Sequence, residues 1–191
     1  MSEFRKEFIQ ALELLARAFE RVVQDGYSRP ILVGGAAVEF HTGGAVVSGD
    51  FDIVTSAEDA FQRALLAEGF RKEDRPGWLL RGYYHPELAM GVEVVGRALF
   101  DGHTDEAKVI IVQVAPDAAV AVAPVEDLIA DRMAQFASTA TGVNEMLEQA
   151  VRLFQLAPPM DEDYLNRRIG AETAGAYDLA FLRAKVEERK R

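Results

Sequence analysis

The stretch ILVGGAAVEFHTGGAVVSGDFDIVTS, Ile31 to Ser56, decides the fold. It reads as a short apolar strand (Ile31 to Val33), a double glycine (Gly34, Gly35), a short helix over AAVEFHT closed by Gly43 and Gly44, and a strand DFDIVT. That last strand carries two aspartates one residue apart. Side chains alternate along a strand, so Asp50 and Asp52 share one face while Phe51 and Ile53 point to the other, into the core. Two carboxylates held side by side repel unless a cation neutralises them. The simplest partner is a divalent metal such as Mg²⁺, bound by hard oxygen ligands; the alternative is that both are turn and strand-entry acids.

Outward from this stretch, Phe4, Phe8, Leu12, Leu15, Phe19 and Val22 recur at helical spacing after Ser2, a candidate N-cap, and DGYSRP ends the pattern. A helix AEDAFQRALLAEG follows the aspartate strand, with Ala60, Phe61, Leu65 and Leu66 as its apolar face. Three strand-like runs come next, GWLLRGYY, MGVEVVG and KVIIVQV. From APVEDLIADRMAQFA, with Pro124 at its start, the chain is helical to its end, interrupted at QLAPPMDEDYL. The expected organisation is an α/β core with an N-terminal helix over residues 1–123 and a C-terminal helical lobe over 124–191.

In GVEVV, Glu93 is the single charge of an apolar strand and points away from Val92 and Val94. It is a candidate third carboxylate for a two-metal site if its strand lies beside that of Asp50 and Asp52; an edge-strand charge is the alternative. Gly34 and Gly35, between strand and helix, offer backbone amides and a helix N-terminus that would cradle a phosphate, or simply make a tight turn. Ser48, two residues before Asp50, is placed either to touch a phosphate or to cap the turn. Neither a dinucleotide fingerprint nor a P-loop is present. A second Asp-x-Asp, Asp161 and Asp163 in MDEDYL, precedes a helix, where acids cap amides and complement the dipole.

Composition narrows the classes. The 191 residues include no cysteine, which excludes disulfides, zinc-thiolate sites and cysteine nucleophiles and fits a reducing cytoplasm. No apolar run approaches a membrane span, so a soluble protein with no membrane partner is expected. Acids outnumber Lys and Arg 31 to 21, a net charge of −10, which discourages sequence-independent phosphate-backbone binding. The basic end RAKVEERKR reads as a solvated helix terminus. His85 and Glu87 in HPE lack the cysteines of a deaminase zinc site, and His41 and His103 have no partner cluster. Arg81 and Tyr83 share a face and are placed either to line a cleft or to pack. Trp78, Tyr83 and Tyr84 read as sheet aromatics.

The ordered set of Gly34-Gly35, short helix, Ser48-x-Asp50-Phe51-Asp52-Ile53 and Val92-Glu93-Val94 resembles the nucleotidyltransferase fold of the polymerase-beta superfamily. The nearest look-alikes are small bacterial proteins of the abortive-infection toxin group and related uncharacterised nucleotidyltransferases. The resemblance runs from about Pro30 to Arg168. It implies a mixed sheet with flanking helices followed by a helical lobe, with metal and nucleotide between the two, and an enzyme that moves a nucleoside monophosphate from an NTP (ATP among them) to a hydroxyl of a protein, an RNA end or a small molecule. Asp50, Asp52 and Glu93 would be the catalytic and metal-binding acids, with Mg²⁺ or Mn²⁺. Gly34, Gly35, Ser48 and Arg132 would bind the nucleotide. The setting implied is toxin-antitoxin or phage defence, with a cognate protein partner; the alternative is a catalytically inactive, antitoxin-like binding or regulatory protein of the same fold. The chain departs from the group in four places. No arginine precedes Asp50 in GGAVVSGD, Arg132 stands where the group has lysine, Val143 and Asn144 stand where it tends to have Lys-Asp, and the spacing from Gly35 to Asp50 is slightly long.

Overall fold

A computed structural model describes residues 4–73, 82–88, 90–138 and 144–189. Ser2, Trp78, Arg81 and Val143 lie outside the described residues. The chain divides into two compact units, one of Met1–Ala37 with Val47–Ala123, the other of Val38–Val46 with Pro124–Arg191.

The first unit is a mixed sheet with helices. Its strands are β1 (Ile31–Val33), β2 (Asp50–Val54), β3 (Arg71–Lys72), β4 (Tyr83–His85), β5 (Met90–Gly96), β6 (Ile110–Ala115) and β7 (Ala118–Val122). Their order is β3-β4-β5-β2-β1-β7-β6. β1 is antiparallel to β2 and parallel to β7, and β2 is parallel to β5. Helix α1 (Lys6–Gln24) buries the stripe Phe8, Leu12, Leu15, Phe19 and Val22, as its helical period requires. The Phe8 ring stacks on Phe51 of β2 at 5.4 Å, so α1 covers the face of the sheet that carries Phe51. Its N-cap position is Arg5. Helix α3 (Glu58–Ala67) buries Ala60, Phe61, Ala64 and Leu65, with Phe61 edge-on to Phe19 at 5.8 Å. Leu66, expected on that face, is 47% exposed, because one residue past Leu65 the helix has turned by about 100°.

Two strands escape the sequence reading. β7, the run AAVAV, is buried at every position and pairs with both β1 and β6. Alanine has little strand preference, and only its central place in the sheet makes this run a strand. β3 is two residues long and exists through pairing with β4. The strand expected over GWLLRGYY is described as β4, starting at Tyr83.

The second unit contains α4 (Val125–Ser138), α5 (Asn144–Leu156), α6 (Glu162–Glu172) and α7 (Leu179–Arg189). Leu128, Ile129, Met133, Leu153, Leu165 and Leu182 are fully buried. Asp161 is the N-cap of α6, its Oδ1 accepting from the Tyr164 amide at 2.9 Å, so this Asp-x-Asp is a helix start. Asp161→Ala is expected to lower unfolding free energy by about 1 kcal/mol in urea denaturation, and Asp163→Ala, exposed in the first turn, to change it far less. Among the described residues no helix is long and apolar enough to cross a membrane.

Candidate active site

The acidic residues are placed by strand pairing. Asp52 is the register partner of Val33 on β1 and of Glu93 on β5, and Asp50 is the partner of Gly91. Residues paired across a sheet share a face. Asp50, Asp52, Gly91 and Glu93 therefore lie on one face, opposite the buried Phe51, Ile53 and Val92. β5 is flanked by β4 and β2, so Glu93 is not an edge-strand charge. Asp50 is exposed, and Asp52 and Glu93 are half-buried.

Glycines make room for both aspartates. Gly34 has φ +62°, and a Cβ there would sit 2.6 Å from Asp52 Cγ and 2.7 Å from Asp52 Cβ. A Cβ on Gly91 would overlap the carboxylate of Asp50. The two side chains thus lean apart, Asp52 over the end of β1 and Asp50 over β5. As they stand, no group of three His, Cys, Asp or Glu among the described residues is set to hold a metal ion. The sequence reading did not single out Gly91. Its signal was a glycine within an apolar strand, two positions before Glu93.

The glycine pair opens helix α2 (Gly34–His41) itself, where a helix beginning after the pair was expected. The positive φ of Gly34 takes the chain from β1 into the first turn without a loop. Gly35 faces Ser48, whose Oγ lies 2.7 Å from where a Gly35 Cβ would be. Ser48 stands ahead of β2, and its hydroxyl donates to the carbonyl of Asp50 at 3.0 Å. The Ser48 carbonyl accepts from Arg5 Nη2 at 2.6 Å. A cation missing from GGAVVSGD is thus supplied to this loop from 43 residues away, beyond the reach of any local pattern.

Arg132 belongs to the second unit, on α4, and is 6% exposed. Its Nη1 is 3.4 Å from Asp131 Oδ2 and 3.7 Å from Met146 Sδ. Its buried Nε has no hydrogen-bond partner among the described residues. Burial pushes the Asp131 carboxyl up, with Arg132 and Gln135 opposing. A buried donor without an acceptor is costly to keep, so the Arg132 side chain retains unmet capacity for an anion.

The remaining candidates sort by register. Tyr83 pairs with Val92, on the face opposite the acids, which removes it from any cleft they line. Burial raises its pKa, helped by Glu58 and Asp59. Tyr84, paired with Gly91, is the tyrosine on the acidic face. His85 packs edge-on to Phe70 at 5.4 Å, His41 against Phe40 at 5.8 Å, and His103 is exposed.

No protein-family model matches the chain, and no curated protein matches its sequence. Solved structures do. An antigenic nucleotidyltransferase-like protein from Paracoccidioides brasiliensis superposes with a TM-score of 0.60 at 14% identity, over 95% of this chain and 94% of that one. JHP933 from Helicobacter pylori gives 0.52 at 12% identity, over 98% and 97%. The antibiotic-resistance factor ANT(2'')-Ia gives 0.50 at 10%, over 95% and 98%. These likenesses span nearly the whole of each chain, and with the mixed sheet and its acidic face they identify the fold as that of the nucleotidyltransferases.

Proposed function

We propose that the acidic face catalyses divalent-metal-dependent transfer of a nucleoside monophosphate from an NTP to a hydroxyl acceptor. The observation that carries this reading is the register that sets Glu93 beside Asp52, with Asp50 on the same face and the Gly34-Gly35 helix start adjoining. Asp50 and Asp52, with Glu93, are the residues that would hold Mg²⁺ or Mn²⁺; oxygen donors in this number suit a hard cation. The metal, when bound, neutralises charge on the triphosphate and makes the acceptor oxygen easier to deprotonate. Gly34 and Gly35 present amides at the positive end of α2 to phosphate oxygens. Ser48 adds a hydroxyl and Arg5 a guanidinium beside the same loop. Glu93 orients the acceptor hydroxyl and takes its proton as the oxygen attacks the α-phosphorus, from which pyrophosphate departs. Such chemistry needs positioning and charge neutralisation more than covalent participation.

The acceptor is a protein, an RNA end or a small molecule, and the net charge of −10 favours the first and last of these. A toxin-antitoxin or phage-defence role, in the cytoplasm and with a cognate partner protein, is the setting we attach to this activity. A second reading, a catalytically inactive binding or regulatory protein, is favoured by the splayed carboxylates of Asp50 and Asp52.

Thermal unfolding with each of the four NTPs, with and without Mg²⁺, separates the two. A nucleotide at about 100 times its Kd is expected to add about 2.7 kcal/mol, a shift of several degrees. The shift should require both metal and nucleotide and vanish in Asp50→Ala/Asp52→Ala. Absence of a shift with every NTP would rule out the enzyme and leave the binding protein.

A further inference from the structure

One pleat along the same sheet face from Asp52, the side chains change from acidic to aliphatic. Val54 of β2 pairs with Ile31, Ile31 with Ala121, and Ala121 with Ile111, so an apolar row crosses four strands. Above this row lies an open cavity of about 450 Å³. Ile111, on the sheet-edge strand β6, is 60% exposed there and adds apolar surface to the cavity's lining.

The charges lining the cavity are unequal in their commitments. Arg29 is held by Glu20 in two bonds, 2.7 and 3.0 Å, and donates to the Ala119 carbonyl at 2.9 Å. That pairing keeps the Glu20 carboxyl below its ordinary range and uses up the charge of Arg29. Arg97 and Glu106 also line the cavity, and their side chains make no hydrogen bond or ion pair, with each other or with any described residue. The regular pairing of β5 shifts just before Arg97, between Val94 and Gly96, the kind of bulge that re-aims the residues after it. One cation and one anion thus border an aliphatic floor without neutralising one another.

We propose that this cavity binds a small zwitterion with an aliphatic side chain, of the α-amino-acid type. Its carboxylate lies on Arg97, its ammonium on Glu106, and its side chain on the Val54–Ile31–Ala121–Ile111 row. A simple anion would meet the uncompensated carboxylate of Glu106, and a simple cation the guanidinium of Arg97; only a ligand carrying both signs satisfies both groups. The volume suits a small molecule, with few polar groups fixing orientation over an apolar lining. None of Asp50, Asp52 and Glu93 lines this cavity, and the ligand is independent of nucleotidyl transfer.

The probe is L-leucine, titrated calorimetrically into the full chain beside two truncated analogues, 4-methylpentanoate without the ammonium and 3-methylbutylamine without the carboxylate. Leucine is expected to bind saturably, one per chain, with each analogue weaker by about tenfold or more, the worth of one charge-assisted contact. Arg97→Ala should abolish the preference of leucine over the amine, and Glu106→Gln its preference over the acid. Both residues are exposed, so the variants keep the fold, which circular dichroism checks. No saturable leucine binding, equal binding of all three compounds, or leucine affinity unchanged in both variants would each overturn the proposal.

Discussion

Arg168→Met is expected to lower the unfolding free energy by about 3–5 kcal/mol, the cost of leaving a buried carboxylate without its cation. Asp127 of α4 is fully buried, and its Oδ1 accepts from Arg168 Nε of α6 at 2.5 Å while Oδ2 accepts from the Tyr164 hydroxyl at 2.9 Å. Arg168 is itself 6% exposed and also donates to Glu172 at 2.7 Å. Methionine fills most of the arginine's volume, so the loss is electrostatic, with little cavity term. The pH dependence supplies an independent readout. Burial already pushes the Asp127 carboxyl up against the pull of Arg168 and Tyr164, and without Arg168 it rises further. A carboxyl raised in the folded state contributes stability that is present below its unfolded pKa and lost as pH rises through the folded pKa. The deficit of Arg168→Met should therefore be largest at neutral pH and shrink as the pH is lowered, since a protonated Asp127 needs no cation. Guanidinium unfolding at about pH 5 and about pH 8 measures this, and Asp127→Asn/Arg168→Met should recover much of the loss. A deficit under about 1 kcal/mol, or one independent of pH, would show that Asp127 is not held as a charge.

Gly34→Ala is the second large effect. With φ at +62°, an alanine costs about 1–2 kcal/mol from backbone strain alone. Its methyl would also lie 2.7 Å from Asp52 Cβ, so rotating the carboxylate aside does not relieve the overlap and β2 itself must shift. Stability should fall by about 2–4 kcal/mol once this overpacking is added, and the proposed thermal shift with Mg²⁺ and NTP should not occur, because Asp52 is displaced. Gly35→Ala provides the comparison. There the nearest atom is the Ser48 hydroxyl at 2.7 Å, with Ser48 Cβ at 3.3 Å, and a hydroxyl rotates away. The Gly35→Ala loss should be smaller and be relieved by Ser48→Gly, whereas no single change at Asp52 short of glycine should relieve Gly34→Ala. Equal losses in the two variants, read by urea unfolding, would contradict this reading of the glycine pair.

Residues 31–56 were legible because their signals are local. Strand alternation alone puts Asp50 and Asp52 on one face and Phe51 and Ile53 on the other, and helical spacing alone selects Phe8, Leu15 and Phe19 for the core; both follow from bond geometry within a few residues. The helix-start reading of Asp161 is local in the same sense, one side chain reaching an amide three residues on. The local signal is weak at AAVAV, where three of five residues are alanine and only pairing with β1 and β6 makes it a strand, and at Leu66, one residue past the buried stripe, where the helix has turned away from the core.

By itself the sequence determined the order of strand, glycine pair, helix and acidic strand, and the parity that gathers the acids on one face, because φ/ψ preferences and side-chain periodicity act along the chain. Only the tertiary structure decided that β5 lies beside β2, so that Glu93 meets Asp52, that Gly91 makes room for Asp50, and that Arg5 reaches Ser48. Those neighbours are tens of residues apart. Strand pairing and the burial of one sheet face under α1 bring them together, and no periodicity in the chain encodes a contact between segments that meet only when the sheet closes.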